Sequence, residues 1–336
     1  MANERARSHL DRVLVLEVAR VTEAAAIAAA RWRGRGKNKE ADKAAVDAMR
    51  RELGRLHIKG RIVIGEGEMD DAPMLFIGER VGMGDGPEVD IAVDPLEGTT
   101  ICAKDMPNAL AVLAIAERGG LLNAPDMYMH KIAIGPGYPD GIIDLDDPPA
   151  KNLERLAKAK GVPVSGITAC ILDRPRHHQL IEAVRTAGAA IRLISDGDIA
   201  GVIWTTDSAQ TGVDIYLGAG GAPEGVLAAA ALRCIGGQMQ GRLAPELHDE
   251  KERAQLVERA HKMGITDIGR KYSMQDMAAA DVIFSASGVT DGSLVMGVHF
   301  RDDFAETETV VMRSETGTVR RIKTTFRNIG TKFAGL

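Results

Sequence analysis

Apolar residues spaced three or four positions apart predict two helices near the start of the chain. Over residues 11–32 this spacing joins Leu14 to Val18 and continues through a run of alanines. Glycines at positions 34 and 36 would end this first helix, and the same spacing predicts a second helix over residues 41–56. A pair of helices therefore precedes the first strand.

A short β-branched run at residues 61–64 and apolar runs at residues 89–93 and 109–116 then predict three strands. Pro95 follows the second run, and we expect Asp94-Pro95 to end that strand because proline cannot continue a hydrogen-bonded ladder. Residues 135–149 are rich in Pro, Gly and Asp, which is typical of a loop. This loop is the expected boundary region between two lobes.

From residue 163 onward, strand patterns and helix patterns alternate, which indicates a mixed or parallel sheet covered by helices. The predicted strands here are 167–172, 190–194 and 213–217, and the predicted helices are 152–160, 176–187, 224–234 and 245–263. Residues 309–313 and 318–325 flank a turn and predict a β-hairpin. The whole pattern predicts a layered α/β fold of two packed lobes, over residues 1–162 and 163–336.

The composition narrows the function classes. A net charge of −5 and an aromatic content of 4% are unlike a nucleic-acid-binding protein, which usually presents a basic face and aromatic rings for base stacking. No apolar run is long enough to span a membrane and no signal peptide is evident, so we expect a cytoplasmic protein without membrane or nucleic-acid partners. Cys102, Cys170 and Cys234 lie far apart, which indicates buried, reduced thiols.

The strongest chemical signal is the turn of residues 94–99 after the second strand. It offers carboxylates from Asp94 and Glu97, a close backbone approach at Gly98 and a hydroxyl from Thr99. Hard divalent ions such as Mg²⁺ and Mn²⁺ bind oxygen ligands, so the two carboxylates could hold one. The alternative is an acidic turn in which Asp94 only caps nearby backbone.

A second acidic turn follows the first predicted strand. Residues 66–71 contain four acids, and Glu66 lies between two glycines. A solvated acidic loop is the alternative. Two acidic turns at strand ends are nevertheless what a multi-metal phosphoryl-transfer site would need, because the paired ions of such sites lie roughly 3.5–4 Å apart.

A glycine-rich turn over residues 218–225 follows a strand and begins a helix. Backbone N–H groups at such a helix start can hold a phosphate, and the pattern also invites a dinucleotide-binding interpretation. The residue order departs from G-x-G-x-x-G, however, and no strand ending in an acid follows at the expected distance of roughly 20 residues. Glu224 would repel a pyrophosphate but would suit a metal ion.

Arg174 and Arg176 follow a strand and begin a helix, so both side chains could reach a bound phosphate. His177 and His178 come next, and adjacent residues on a helix point in different directions, which favours a solvated pair over a zinc site. The Asp-Gly-Asp turn of residues 196–198 could hydrogen-bond sugar hydroxyls, although such turns are often purely structural.

Taken together, these segments resemble the class II, GlpX-type fructose-1,6-bisphosphatases of the lithium-sensitive, metal-dependent sugar phosphatase superfamily. The resemblance covers nearly the whole chain, and its motifs appear in the family's order. They are Val63-Ile-Gly-Glu-Gly-Glu-Met-Asp-Asp-Ala-Pro-Met, Asp94-Pro-Leu-Glu-Gly-Thr, Asn123-Ala-Pro-Asp-Met-Tyr-Met, Arg174-Pro-Arg-His and Gly220-Gly-Ala-Pro-Glu-Gly. The resemblance implies a sugar-phosphatase-like α-β-α-β-α sandwich.

The resemblance also implies a set of site residues. The metal ligands, for Mn²⁺ or Mg²⁺, would be Asp42, Glu66, Asp94, Glu97 and Glu224. The substrate contacts would be Glu97, Gly98, Thr99, Tyr128, Arg174, Pro175, Arg176, Asp196, Gly197, Asp198 and Gly221. Asp42 lies at a predicted helix start, where it could instead be a cap. The family usually has an acid and then a basic residue after its Gly-Arg-Gly turn, whereas here Lys37 and Lys39 flank an asparagine, so either lysine could serve the site.

The implied reaction is hydrolysis of the C1 phosphate of fructose 1,6-bisphosphate by a metal-activated water, in gluconeogenesis or central carbon metabolism. Thr99, oriented by Asp70, would position that water, and the arginines would hold the distal phosphate. The alternatives are a dual fructose-1,6-/sedoheptulose-1,7-bisphosphatase of the reductive pentose phosphate cycle, a nicotinamide-dependent oxidoreductase and a catalytically silent sugar-phosphate sensor. The resemblance further suggests a homodimer or homotetramer.

Overall fold

A computed structural model of the chain describes residues 10, 12–67, 74–301 and 304–327. The α-helices found there are α1 (Leu14–Ala30), α2 (Asn38–Leu53), α3 (Thr99–Ala103), α4 (Pro149–Lys160), α5 (His178–Thr186), α6 (Asp198–Trp204), α7 (Ser208–Thr211), α8 (Ala222–Ile235), α9 (Glu250–Lys262) and α10 (Met274–Met277). Short 3-10 turns lie at Val164–Gly166, Pro175–His177, Thr205–Asp207 and Pro245–Leu247. No helix among these residues is long and apolar enough to cross a membrane.

The strands form two mixed sheets. Their bounds are β1 (Lys59–Ile64), β2 (Arg80–Val81), β3 (Glu88–Glu97), β4 (Leu110–Glu117), β5 (Tyr128–Ile134), β6 (Thr168–Leu172), β7 (Ala190–Ile194), β8 (Ile215–Gly221), β9 (Gln238–Leu243), β10 (Tyr272–Ser273), β11 (Val282–Gly288), β12 (His299–Arg301), β13 (Phe304–Arg313) and β14 (Thr318–Arg327). The first sheet has the order β12-β13-β11-β4-β3-β1-β2, with β14 on the other side of β13, and the second has the order β10-β9-β5-β8-β6-β7.

The apolar cores show that helices and sheets alternate in layers. One core joins α1 and α2 to the first sheet, and another joins the opposite face of that sheet to α8 and the second sheet. A third core joins the outer face of the second sheet to α4 and α5. The layered α/β prediction, with its α-β-α-β-α order, is therefore confirmed.

Helix α8 lies between the two sheets, and its sequence explains why. Ala228, Ala229, Ala230 and Ala231 are all at most 1% exposed, and a helix that is apolar all round is one that is buried all round. The small alanine side chains let α8 contact β3 and β4 of the first sheet as well as β5, β8 and β9 of the second. The first residues of α8 thereby lie where the two sheets meet.

The predicted end of strand β3 is wrong. Asp94-Pro95 does not end the strand, which continues to Glu97. The pairing of β3 with β4 shifts its register between Asp94 and Glu97. Proline is tolerated at such an irregularity because its missing N–H group leaves no ladder bond broken there. The irregularity matters for the site because it lies between the two carboxylates.

Two separate parts of the chain build the first sheet. The chain builds β1 to β4 of the first sheet, then β5 to β10 of the second, and returns to the first for β11 to β14. The predicted division at residue 162 lies within the segment that builds the second sheet, and it stays a prediction. The three cysteines are free and buried, as the sequence predicts.

A buried hydroxyl network fixes α1 on the first sheet. Thr22 Oγ1 donates to the Ala19 carbonyl, and it lies 2.8 Å from Ser285 Oγ and accepts from Ser287 Oγ at 2.8 Å. Ser287 Oγ also lies 2.7 Å from Thr309 Oγ1. All four side chains are buried, so each hydroxyl in the chain needs the next one as its partner.

We expect Thr22→Val to destabilise the protein by about 1–3 kcal/mol, because the isosteric valine leaves the Ser285 and Ser287 hydroxyls buried without their acceptor. The free energy of unfolding by chemical denaturation measures this effect. Thr186→Val, at an exposed position on α5, is the matched control and should stay close to wild type. An equally stable Thr22→Val protein would show that the network contributes nothing.

Candidate active site

Two neighbouring cavities lie where the sheets meet, and they share part of their lining. The carboxylate cavity, of about 390 Å³, is lined by Asp42, Gly65, Glu66, Val93, Asp94, Leu96, Glu97, Gly98, Thr99, Asp126, Asp196, Pro223, Glu224 and Leu227. The arginine cavity, of about 350 Å³, is lined by Glu97, Asp126, Met127, Tyr128, Leu172, Arg174, Arg176, Asp196, Gly197, Asp198, Gly220, Gly221, Glu224, His248 and Glu252. The shared residues are Glu97, Asp126, Asp196 and Glu224.

The structure thus brings the predicted residues together from distant parts of the chain. All five predicted metal ligands line the carboxylate cavity, together with Gly98 and Thr99. Most of the predicted substrate contacts line the arginine cavity. Among the described residues, the carboxylate cavity has seven acidic side chains and no Lys, Arg or His in its lining.

The backbone at the end of β3 places two of these acids. Asp94 Oδ1 accepts the Leu96 N–H at 3.2 Å, so the local cap that we considered as an alternative does exist. Beyond the register shift, Glu97 is 6% exposed. Gly98 has φ of 82°, a conformation that favours glycine, and it precedes Thr99 at the start of α3. The turn therefore directs a carboxylate from each side of Pro95 into one cavity.

Three carboxylates are arranged as a metal ion would require. Asp94, Glu97 and Glu224 each offer an oxygen atom, and these atoms lie within 4.8 Å of one another. Among the described residues, no group forms a hydrogen bond with the buried Glu224 Oε2, and such an unpaired carboxylate oxygen is costly unless a cation or a proton compensates it. Because hard divalent ions bind such oxygen atoms, these residues fit a metal site.

Asp42 and Glu66 reach the same cavity from other elements. Asp42 lies inside α2, whose N-cap is Lys37, so the alternative that Asp42 caps the helix is wrong. Glu66 follows β1, and its N–H donates to the Leu75 carbonyl at 3.0 Å. The remaining acids of this turn, including the predicted catalytic Asp70, lie outside the described residues.

Burial and mutual repulsion raise the pKa values of the clustered acids. Burial, followed by the charges of Asp42, Asp94 and Glu224, raises the pKa of Glu66 to about 9. Burial raises the pKa of Asp94 to about 6 and that of Glu224 to about 8, and the pKa of Glu97 also lies well above its ordinary value. A bound divalent cation would replace protons in this cluster.

The glycine-rich turn serves the carboxylates directly. A Cβ atom at Gly220 would lie 2.0 Å from Asp198 Oδ2, and one at Gly221 would lie 1.9 Å from Glu224 Oε2. No larger residue fits at either position while these carboxylates keep their places. Both glycines therefore admit negatively charged side chains, which would repel the pyrophosphate of a dinucleotide.

The predicted phosphate-binding arginines lie on one wall of the arginine cavity. Arg176 donates from Nε and Nη2 to the Ala219 carbonyl at 3.0 and 2.8 Å. Its guanidinium lies 4.5 Å from the centre of the Tyr128 ring, a cation–π contact. Arg174 Nη2 lies 3.7 Å from Asp196 Oδ1. Arg176 is thus held in one orientation before any ligand binds.

Sequence reasoning missed Lys131, which is buried beside this wall. Lys131 Nζ lies 2.5 Å from Asp198 Oδ2 and donates to the Gly221 carbonyl at 2.9 Å. The Tyr216 hydroxyl donates to Asp198 Oδ2 at 3.1 Å. A lysine within the buried strand β5 is the signal that could have found it, because lysine is rarely fully buried unless it is paired.

His177 contradicts our expectation of a solvated histidine pair, although His178 is indeed exposed. The His177 ring is buried, with Nδ1 2.7 Å from the Leu172 carbonyl and Nε2 accepting the Ala219 N–H at 2.8 Å. These partners require a neutral ring with its proton on Nδ1, and burial lowers the pKa of the imidazole accordingly. His177 thereby ties β6 to the turn that carries Gly220.

Some predicted residues line neither cavity, and some residues that line a cavity were not predicted. Lys37 is exposed and forms an ion pair with Glu40 at 3.1 Å, and neither it nor Lys39 lines either cavity. Pro175 lies between the two arginines without lining a cavity. Three polar side chains that were not predicted do line the arginine cavity. They are Asp126, His248, which stacks on Tyr128, and Glu252.

Glu66 makes the stability of the metal-free protein depend on pH. Folding raises its pKa from 4.5 to about 9, so between these values the folded state keeps a proton that the unfolded state has lost. Stability is therefore greatest at the acidic end and falls as the pH rises through this window. Glu66→Gln should flatten that slope, measured as the free energy of unfolding from about pH 5 to about pH 9 in a chelator.

The matched control is Glu154→Gln, at an exposed position on α4, which should keep the wild-type slope. If Glu66→Gln kept the wild-type slope as well, Glu66 would not be the buried acid that this geometry describes.

Comparisons with known proteins identify the relatives of this chain. The profile of the family described as "Bacterial fructose-1,6-bisphosphatase, glpX-encoded" matches residues 12–326. A Synechococcus sp. (strain JA-3-3Ab) protein is 46% identical, over 94% of this chain and 96% of the relative. A Prochlorococcus marinus (strain MIT 9303) protein is 44% identical, over 97% of this chain and 100% of the relative. Both relatives are named "D-fructose 1,6-bisphosphatase class 2/sedoheptulose 1,7-bisphosphatase". The chain belongs to the glpX-encoded bacterial fructose-1,6-bisphosphatase family.

Proposed function

We propose that this protein hydrolyses the C1 phosphate of fructose 1,6-bisphosphate to give fructose 6-phosphate and inorganic phosphate. The observation that carries the proposal is the pair of joined cavities, one crowded with carboxylates and the other walled by two arginines. A substrate with a phosphate at each end could place one phosphate near the carboxylates and the other against the arginines. Family membership supports the same reaction.

The metal ligands of the proposal are Asp42, Glu66, Asp94, Glu97 and Glu224, all of which line the carboxylate cavity. Mn²⁺ or Mg²⁺ is the proposed ion, since both prefer the oxygen ligands that these residues offer. When bound, such ions neutralise charge on a phosphoryl group and lower the pKa of water. Glu224 Oε2, which has no hydrogen-bond partner among the described residues, is a ligand atom that a cation would satisfy.

Thr99 is proposed to position the attacking water. Its hydroxyl lies at the start of α3 beside Glu97 and Gly98, on the lining of the carboxylate cavity. A hydroxyl there can both accept a proton from water and pass its own to a nearby acid, for which Asp70 is the proposed partner. In-line attack would then direct the water at the phosphorus from the side opposite the leaving sugar oxygen.

Arg174 and Arg176 are proposed to hold the distal phosphate, because guanidinium groups donate in pairs to phosphate oxygens. Tyr128 forms the cavity floor beneath Arg176. Asp196, Gly197, Asp198 and Gly221 remain the proposed contacts of the sugar, and Asp198 is held in place by Lys131. Pro175, Gly98 and one of the lysines at 37 and 39 complete the proposed set.

The oxidoreductase and the dual bisphosphatase are the other two enzyme hypotheses. A dinucleotide-dependent oxidoreductase is disfavoured, because the glycine turn admits the carboxylates of Asp198 and Glu224 instead of a pyrophosphate. Sedoheptulose 1,7-bisphosphate is a second proposed substrate, since the relatives' names include it. A homodimer or homotetramer acting in gluconeogenesis in the cytoplasm completes the proposal.

Asp94→Asn is expected to abolish turnover while leaving the fold intact, because it removes a charge from the metal cluster and keeps the shape of the side chain. Phosphate release from fructose 1,6-bisphosphate with Mn²⁺ or Mg²⁺, and its loss in a chelator, measures this. Asp140→Asn, at an exposed position, should retain full activity. Normal turnover by Asp94→Asn would contradict the metal assignment, and release that ignores the chelator would contradict the mechanism.

Arg176→Gln should raise KM for fructose 1,6-bisphosphate by about tenfold to a hundredfold, since a charge-assisted bond is worth about 1.5–3 kcal/mol. For fructose 1-phosphate, which has no distal phosphate, the change in KM should be much smaller. Arg185→Gln, an exposed arginine on α5, is the matched control. An equal loss with both substrates would show that Arg176 supports the wall and does not recognise the distal phosphate.

A further inference from the structure

A second cleft, remote from the active site, is lined by cations. It has a volume of about 550 Å³ and lies along β1 and β2 and beside the start of β3. Its charged residues are Lys59, Arg61, Arg80, Glu88 and Arg118. We call it the basic cleft. Among the described residues, this lining has four cations against one acid, in a chain whose net charge is −5.

The sheet register explains how the cations come together. Lys59 and Arg61 are two residues apart on β1, so they lie on the same face of the sheet. Arg80 of β2 is the antiparallel partner of Arg61, which places two like charges directly opposite each other. Such a pair is destabilising by itself. An anion between the two side chains would remove the repulsion.

A buried aspartate forms ion pairs with two of these arginines. The Asp90 side chain is only 1% exposed, and its Oδ1 lies 3.3 Å from Arg61 Nη2 and 3.4 Å from Arg118 Nε. Its Oδ2 accepts the Gly119 N–H at 2.6 Å. Because each guanidinium carries five N–H donors, both arginines keep donors for a ligand while Asp90 pairs with them. Arg118 Nη2 also donates to the Lys59 carbonyl at 3.2 Å, which orients that guanidinium further.

The basic cleft is separate from the metal centre but lies on the same strands. Arg61 lies on β1 and is five residues before Glu66, which follows that strand; five residues correspond to roughly 16 Å of extended chain. None of the residues lining the basic cleft lines the carboxylate or arginine cavity. A ligand there would therefore occupy a site of its own.

We propose that the basic cleft is a second anion site, which binds a small metabolite carrying two or more negative charges on phosphate groups. Phosphate suits it because several guanidinium groups and an ammonium group can share its oxygens. The volume of the cleft lies in the range of small-molecule sites. Its partly exposed cations and its single acid in the lining favour a soluble phosphorylated molecule of nucleotide or sugar-phosphate size.

Inorganic pyrophosphate is a suitable probe, titrated by calorimetry at low salt into the full-length protein kept free of metal by a chelator. The wild type should show saturable binding that weakens as salt rises. The double variant Lys59→Gln/Arg80→Gln should bind about tenfold or more weakly. Both side chains are exposed and neither holds Asp90, so the variant should fold normally.

The control variant Lys251→Gln/Arg320→Gln removes the same charge from exposed positions on α9 and β14, and it should bind pyrophosphate like the wild type. Three results with these proteins would overturn the proposal: no saturable binding by the wild type, unchanged binding by the Lys59→Gln/Arg80→Gln variant, or equal weakening in both double variants. A fourth such result would be loss of binding in the single variant Arg174→Gln, which would assign the pyrophosphate to the arginine cavity.

Discussion

Electrostatic repulsion among the acids of the carboxylate cavity is the constraint on which the rest of this structure depends. Asp94, Glu97 and Glu224 hold oxygen atoms within 4.8 Å of one another, and their full or partial burial weakens screening by water. In the metal-free protein, protonation of these acids lowers the repulsion, as the raised pKa values of Glu66 and Glu224 indicate. Lys131 gives only partial relief, because it is paired with Asp198. A divalent cation would satisfy the whole cluster at once.

The fold keeps these acids close in spite of their repulsion. Strand β3 supplies Asp94 and Glu97 from the first sheet, and α8 supplies Glu224 from the layer between the sheets. The alanines of α8 allow both sheets to pack against it, and Gly221 leaves room for the Glu224 carboxylate. The site therefore exists only while the two sheets stay packed on α8. The stability of the core thus determines whether these carboxylates stay together.

The sequence predicted the layered fold and several residues that line the two cavities, because strand-end acids and glycine turns are local signals. Asp42 gives no such signal, and only the family resemblance implied it. Sequence reasoning failed where tertiary context decides. Pro95 was expected to end β3, but the irregular pairing with β4 accommodates it. Strand β11 was not predicted. It is buried on both faces, so its sequence lacks the alternation of apolar and polar residues that marks a strand with one exposed face. His177 and Lys131 were missed because their roles depend on partners far away in the chain, the Ala219 N–H and the Asp198 carboxylate.

The most direct test of a metal ion in the carboxylate cavity is the location of Mn²⁺ in crystals grown with that ion, determined from its anomalous X-ray scattering. We expect anomalous peaks inside the cavity, bounded by Asp94, Glu97 and Glu224, and their loss in crystals of Asp94→Asn. Peaks confined to other parts of the surface, or none in the cavity at saturating Mn²⁺, would contradict the claim that these carboxylates are gathered to hold a metal ion.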